Sequence, residues 1–139
     1  MRLAFRCVFG FIPVPIFYVA SLAAGRGGES RGPIVRILDR YRAPCDEGLH
    51  QHELEHVRQF WRLPVLHSVL YAFRRSYRLA CEAAAYRVQM NHPNGRGGAL
   101  ALEDAAWYLA NDYRLGITVE EARAAILAFG ALDPLTRIA

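Results

Sequence analysis

The spacing of apolar and polar residues predicts helices over most of the chain beyond residue 45. Between Asp46 and Arg62, apolar residues recur at intervals of three and four, which places them on one side of a helix. Pro64 ends that helix and opens a second helical stretch, which runs to about Met90 with an interruption near Tyr77. The chain is therefore predicted to be mainly helical.

Two shorter helices are predicted after a glycine-rich breaker, one over about residues 100–113 and one over residues 119–129. Thr118 and Glu121 form a capping box that begins the second of them. Gly130 is expected to end it. Polar and apolar residues alternate at the helical period in both, so we expect these helices to pack the core rather than to carry chemistry.

The apolar segment at residues 7–25 carries no charge and has three possible structures. It could be a signal peptide, a membrane helix, or short strands packed over the helices. Glycine and proline interrupt the run, whereas its aromatic and β-branched content favours strands. We favour an exported or membrane-associated segment over packed strands. The protein is accordingly expected to be exported or membrane-associated rather than cytoplasmic, with membrane contact through residues 7–25.

A polar, glycine-rich stretch at residues 25–32 is predicted to be a flexible connector. It divides the chain into an apolar N-terminal part, residues 1–32, and a domain of residues 33–139. Ile34–Leu38 has the composition of a strand. The predicted fold class is therefore α+β and mainly helical, with a short strand or small sheet beside the first helix.

The composition limits the classes of protein to consider. With 139 residues, 53% of them hydrophobic, the chain has material for one core and no room for a second catalytic domain. The 17 basic residues are all Arg and are scattered, so the net charge of +4 does not predict a nucleic-acid partner. Three cysteines without CxxC spacing argue against a disulfide scaffold and are expected to be buried free thiols.

One pentapeptide, His52-Glu53-Leu54-Glu55-His56, has the spacing of a metal site on a helix. Residues four apart lie nearly above one another, so His52 and His56 would present two imidazoles to one ion. Neutral imidazole suits Zn²⁺, with one ion expected per chain. Glu53 would be the general base that activates a water for attack on a carbonyl. The alternative is a solvated helix rich in His and Glu.

Glu82 is the candidate third ligand. It is the only carboxylate between Glu55 and Glu103, and its neighbours are small or apolar, which predicts a buried position on a helix. An unpaired buried carboxylate is costly, and a metal would offset that cost. The alternative is a Glu82 that pairs with Arg78 or Tyr86, each one helical turn away.

Tyr86 is also the first candidate for stabilising a developing oxyanion, because it lies on the same side of the helix as Glu82. The weaker candidates for that role are His50, His67, His92 and Tyr77. A lone histidine is more often a surface or core residue than a ligand, so the three histidines are left out of the predicted site.

The HExxHxxQ run at residues 52–59, followed by Glu82-Ala83-Ala84-Ala85-Tyr86, resembles the gluzincins, and particularly the short bacterial and prophage minigluzincins. The resemblance covers about residues 34–90. It implies a minimal zincin-like domain that hydrolyses peptide bonds of a peptide or protein substrate. The residues it implies for the site are His52, His56 and Glu82 as zinc ligands and Glu53 as the base.

The chain departs from the larger gluzincins at Tyr86, where they place an Asp that orients a ligand histidine. The acceptor for that histidine is therefore left unidentified by the sequence. The resemblance also implies an edge strand that pairs with extended substrate; Ile34–Leu38 is that strand or an ordinary core strand. The alternative to a peptidase is a non-catalytic protein, for example of phage origin, in which zinc supports a structural or interaction role.

Overall fold

A computed structural model describes residues 1–129 of the chain, in which four strands precede five α-helices. The strands are β1 (Arg2–Val8), β2 (Ile12–Val19), β3 (Gly28–Arg31) and β4 (Ile34–Leu38). The helices are α1 (Glu47–Arg62), α2 (Leu66–Phe73), α3 (Arg75–Gln89), α4 (Leu102–Asp112) and α5 (Val119–Phe129). This is a small, mainly helical α+β domain, which confirms the predicted class.

The strands form one sheet in the order β1-β2-β4-β3. β2 runs antiparallel to β1 and parallel to β4, and β3 runs antiparallel to β4. Side chains alternate between the two sides of a strand, so Val14 and Ile16 of β2 point to the same side and are fully buried there. They pack with Leu54 and Val57 of α1, which places α1 against one side of the sheet.

The apolar N-terminal segment thus forms packed strands, the least favoured of the three interpretations. Pro13 and Pro15 would break a helix, but β2 pairs with β4 only from Ile16 onward, so the prolines precede that ladder. No helix among residues 1–129 is long and apolar enough to cross a membrane. The division at residues 32 and 33 falls in the turn between β3 and β4, which are hydrogen-bonded neighbours.

The predicted flexible connector contains β3, so that prediction is wrong. The side chain of Glu29 pairs with Arg36 on the adjacent strand at 2.7 Å, and Gly32 makes the turn between the strands at a φ of +61°. Ile34–Leu38 lies inside the sheet, between β2 and β3, and is therefore a core strand. The edge beside α1 is β3.

The predicted long stretch after Pro64 is two helices. It breaks at Arg74, three residues before the predicted position, and α2 begins only at Leu66. Val65 precedes α2 with a φ of +65°, so Pro64 does not occupy the first helical position. α1 matches the predicted range, and the Asp46 side chain caps it by accepting a hydrogen bond from the Leu49 amide.

The C-terminal helices pack on α3 through small side chains. Ala83 of α3, Ala106 of α4 and Ala122 of α5 are fully buried in one cluster. The capping box is confirmed, because Thr118 and Glu121 exchange side-chain to backbone hydrogen bonds; the predicted end at Gly130 lies outside the described residues. Of the three free thiols only Cys81 is buried, while Cys7 and Cys45 are exposed, contrary to the prediction.

Candidate metal centre

The side chains of His52, His56 and Glu82 converge between α1 and α3. The two Nε2 atoms lie 3.2 Å apart. Glu82 places Oε2 at 3.6 Å from the Nε2 of His52 and Oε1 at 3.4 Å from the Nε2 of His56. All three residues are buried. In the part of the chain that the structure describes, they are the one group of three side chains that could hold a metal ion.

These separations fit a single ion. Nitrogen and oxygen ligands at about 2.0–2.2 Å from a tetrahedral zinc are about 3.3–3.5 Å from one another. The separations in the cluster, 3.2 to 3.6 Å, differ from those values by little. The helical spacing of the two histidines and the packing of α3 on α1 therefore suffice to form a site that could hold a metal.

Buried polar atoms without hydrogen-bond partners mark this group as unusual. The Nδ1 atom of His52 and the Oε2 atoms of Glu53 and Glu82 are buried and have no hydrogen-bond partner within residues 1–129. Buried polar atoms are nearly always paired, because an unpaired one loses its hydration without compensation. Two of these three atoms belong to the cluster, and the third belongs to Glu53, which follows His52 in the motif.

The electrostatics of the protein favour a charged carboxylate at the centre. Burial alone would raise the pKa of Glu82, but His56 and His52 beside it hold that pKa well below its usual range. Burial opposes the charging of His56, yet the carboxylate of Glu82 outweighs it and raises the pKa of His56 to about 9. A cation at the centre could replace this proton as the partner of Glu82.

Glu53 lies beside the cluster and contacts the sheet. Its burial raises its pKa above the usual value, while the neighbouring His52 and His56 oppose that shift. A Cβ atom on Gly28 would lie 2.8 Å from its Oε1. Only a glycine in β3 leaves room for the carboxylate there, so the sheet edge and α1 together set the position of the predicted base.

Gln59 orients one of the two imidazoles. The Nδ1 of His56 donates to the Oε1 of Gln59 at 3.0 Å, and the Nε2 of Gln59 donates to the carbonyl of Cys81 at 3.0 Å. With its proton on Nδ1, His56 presents the lone pair of Nε2 to the centre. The sequence prediction missed this acceptor, although Gln59 follows His56 at the i,i+3 spacing of helical neighbours.

Tyr86 contacts the other imidazole but its hydroxyl points elsewhere. Its ring meets that of His52 edge-on, with 4.7 Å between centroids. Its hydroxyl shares a hydrogen bond of 3.0 Å with the hydroxyl of Tyr113. The predicted proximity of Tyr86 to the centre is therefore present. At this position a ring packs on the histidine in place of a hydrogen-bond acceptor.

Tyr71 is a second site residue, after Gln59, that sequence reasoning missed. It lies on α2, and its hydroxyl donates to the Oε1 of Glu82. Arg78 of α3 holds this end of α2 by donating to the carbonyls of Tyr71 and Ala72, each at 2.9 Å, and to the carbonyl of Tyr113 at 3.1 Å. No motif surrounds Tyr71, so only the packing of α2 on α3 identifies it.

The alternative partners of Glu82 and the weaker candidates for oxyanion stabilisation form other hydrogen bonds. Arg78 donates to backbone carbonyls and Tyr86 bonds to Tyr113, so neither is the partner of Glu82. The other predicted candidates form separate hydrogen bonds: His50 with Tyr18 and the Asp46 carbonyl, His92 with the Val88 carbonyl, and His67 with Tyr77. Burial and the proximity of His56 lower the pKa of His67 to about 4, so it is neutral near pH 7.

The centre opens into a cleft of about 1270 Å³. One wall is β3, whose residues from Gly28 to Arg31 all line the cleft. Asp104 and Tyr108 of α4 and His67 and Tyr71 of α2 also line it. A molecule much larger than water therefore has access to the buried histidines and to Glu53.

Comparisons of the chain with protein-family models, with curated proteins and with solved structures found no match. The interpretation of the centre therefore depends on the geometry of this chain's own residues.

Proposed function

We propose that the protein is a zinc-dependent peptidase that hydrolyses peptide bonds of extended substrates. The observation that carries the proposal is the buried His52, His56 and Glu82 group, with the Glu53 carboxylate beside it, at the base of an open cleft. A site that served structure alone would have no need of a cleft or of the unpaired Oε2 of Glu53 next to the candidate ligands.

In this proposal each residue of the motif has one task. His52, His56 and Glu82 would hold zinc, which when bound lowers the pKa of a water and polarises the scissile carbonyl. Glu53 accepts the proton of the attacking water and passes it to the leaving amine. The raised pKa of Glu53 suits a group that must both take up and release a proton.

We assign oxyanion stabilisation to Tyr71, with Tyr86 as the candidate from the sequence. The hydroxyl of Tyr71 already donates to a carboxylate oxygen of Glu82 at the centre, whereas that of Tyr86 bonds to Tyr113. Burial and the charge of Glu82 raise the pKa of Tyr71, so it keeps its proton and remains a donor. A fixed donor aimed at a developing negative charge is a large contributor to acyl-transfer catalysis.

The free edge of β3 is proposed to bind the substrate backbone. β3 is the edge strand of the sheet, pairs with β4 on one side, and lines the cleft beside Glu53. An extended peptide could add to that edge as a further antiparallel or parallel strand, with main-chain hydrogen bonds supplying affinity and little sequence selectivity.

The decisive test is the zinc stoichiometry of the purified protein, measured by elemental analysis without a metal-binding tag. We expect about one zinc per chain in the wild type and in the control Glu103→Ala, whose carboxylate is exposed and pairs with Arg123. Glu82→Ala should lose most of the metal. Hydrolysis of an unfolded protein such as casein should require zinc and return when zinc is restored.

Two outcomes would overturn the proposal. A folded wild-type protein without zinc would remove the metal centre. Full zinc occupancy with no hydrolysis of any unfolded protein or peptide library would leave the non-catalytic, zinc-stabilised alternative.

A further inference from the structure

We propose that the tip of the β1–β2 hairpin and the outer side of α2 form one surface that binds an anionic lipid membrane. We call it the apolar tip surface, and its residues are Phe9, Phe11, Val65, Leu66, Val69 and Phe73. The inference does not depend on the proposed peptidase activity. It is supported by the orientation of α2, by two backbone conformations and by the distribution of charge.

α2 has the reverse of the usual orientation of a surface helix. Its largest polar residue, His67, is buried, although Ser68 is exposed, and Tyr71, four residues after His67, reaches Glu82. Its apolar residues face outward: Leu66 is 47% exposed, Val69 48% and Phe73 84%. A surface helix normally buries its apolar stripe and exposes its polar residues. The inner side of α2 is used by the candidate centre, and its outer side is left apolar without any element of the described chain to cover it.

Two turn positions next to α2 carry apolar residues in a conformation that suits glycine or asparagine. Phe9 has a φ of +52° in the hairpin turn, and Val65 has a φ of +65° before α2. For a bulky or β-branched residue such a φ is strained. Phe9 is 43% exposed and Val65 75% exposed, so core packing does not account for either side chain.

The two turns lie on the same part of the molecule. The guanidinium carbon of Arg62 sits 5.7 Å from the centroid of the Phe9 ring. Arg62 is the last residue of α1 and precedes Val65 by three positions. The hairpin tip therefore lies near the end of α1 from which the chain enters α2, and Phe9 lies against the residue three positions before Val65. Exposed apolar residues grouped on one part of a molecule mark an interaction site.

The charge beside α2 is mainly positive. From Val57 to Cys81 the chain carries five arginines and no carboxylate; Glu55 pairs with two of them, Arg58 and Arg62, and residues 7–25 carry no charge at all. Arg74 and Arg75, at the C-terminal end of α2, are exposed and form no ion pair within residues 1–129. Apolar and aromatic side chains beside a cationic rim match the acyl boundary and phosphate groups of an anionic bilayer.

The same charge disfavours a second copy of this chain as the occupant. Two copies that met through this surface would bring Arg74 and Arg75 of one copy toward those of the other, without an acidic residue from residues 57–81 to pair with them. Like charges placed opposite one another across an interface oppose association. A lipid surface that carries phosphate groups supplies the missing negative charge.

The test is flotation of the full chain with phosphatidylcholine vesicles that contain or lack phosphatidylglycerol. We expect binding to the anionic vesicles that weakens as salt is added. The double variant Phe9→Asn/Val65→Asn should bind them about tenfold or more weakly, because two inserted apolar side chains are lost. Asparagine adopts a positive φ more readily than phenylalanine or valine, so the double variant is expected to fold.

Trp107→Asn is the matched control, because Trp107 is 53% exposed on α4 and is not part of the apolar tip surface. It should float with the vesicles as the wild type does. The proposal is overturned if the wild type does not bind anionic vesicles, or if the double variant binds them as well as the wild type. A wild-type dimer that becomes monomeric in the double variant, with no vesicle binding, would instead assign the surface to a second copy.

Discussion

Helices α1 and α2 both contribute to the candidate centre, yet they do so in opposite ways. α1 carries an HExxH motif whose histidines reach the same point because of helical spacing alone, and Gln59 of the same helix orients one of them. α2 carries no motif, and its Tyr71 reaches Glu82 across the packing of α2 on α3, where Arg78 donates to the Tyr71 carbonyl. The two histidines, which local spacing brings together, could thus be recognised in the sequence, and Tyr71, which only packing brings to the centre, could not.

The proposed function separates two kinds of contribution. In that proposal α1 would supply two metal ligands, the base and the Gln59 side chain that accepts from His56, so substitutions there should affect metal binding or the base. α2 would supply only the Tyr71 hydroxyl, so its removal should lower turnover and leave the metal in place. Substitutions in the two helices test that separation.

The largest effect is expected from Glu53→Gln on α1. Loss of the general base should lower kcat by about 10²–10⁴-fold, because a positioned proton acceptor contributes that much to hydrolysis. Zinc should be retained, since Glu53 is not a ligand. Glu55→Gln is the control: Glu55 lies in the same motif but pairs with Arg58 and Arg62 at 3.2 and 3.5 Å. Full activity in Glu53→Gln with bound zinc would contradict the assigned base.

Tyr71→Phe on α2 should lower kcat by about 10²-fold, the usual cost of removing one oxyanion donor. KM for a peptide substrate and zinc content should stay close to the wild-type values, because only the hydroxyl is removed. Tyr86→Phe is the comparator and should have a smaller effect, since its hydroxyl bonds to Tyr113. If Tyr86→Phe lowered kcat more than Tyr71→Phe, oxyanion stabilisation would be assigned to Tyr86, the candidate from the sequence.

Gln59→Leu should weaken zinc binding by about 10–100-fold, which is typical when the acceptor of a ligand histidine is removed. A chelator competition titration measures this directly. Gln51→Leu is a matched control on the same helix, because the Gln51 amide donates to Glu47 at 2.7 Å instead of contacting a ligand. Equal zinc affinity in the two variants would show that Gln59 does not orient His56.

Gly28→Ala should have the smallest effect of the four, a reduction in kcat of about tenfold. The Glu53 carboxylate should move by less than 1 Å, and a misplacement of about 1 Å costs about 10²-fold in rate. The added Cβ would lie 2.8 Å from the Oε1 of Glu53 and 3.0 Å from its Cγ. Gly98→Ala, where nothing lies within 4 Å, is the control. An unchanged kcat in Gly28→Ala would show that β3 does not set the position of the base.

The parts of the molecule that could be predicted are those in which neighbours in sequence are neighbours in space. The helical period placed His52 and His56 together and identified the bounds of α1, and the capping box at Thr118 and Glu121 marked the start of α5 correctly. Glu82 was found because an isolated carboxylate among alanines is costly to bury. Each of these inferences uses interactions within one or two helical turns or the cost of burying one side chain.

The parts that could not be predicted depend on residues far apart in the chain. Residues 7–25 have a composition that fits a signal, a membrane helix or strands, and the choice depends on whether Leu54 and Val57 of α1 are there to cover Val14 and Ile16. Gly28 looks like part of a linker until Glu53 is known to occupy the space where its side chain would be. The sequence alone therefore determined the metal-ligand spacing and the helices. Only the tertiary structure decided the sheet, its edge strand and Tyr71, because strand pairing and shared burial join residues that no local pattern relates.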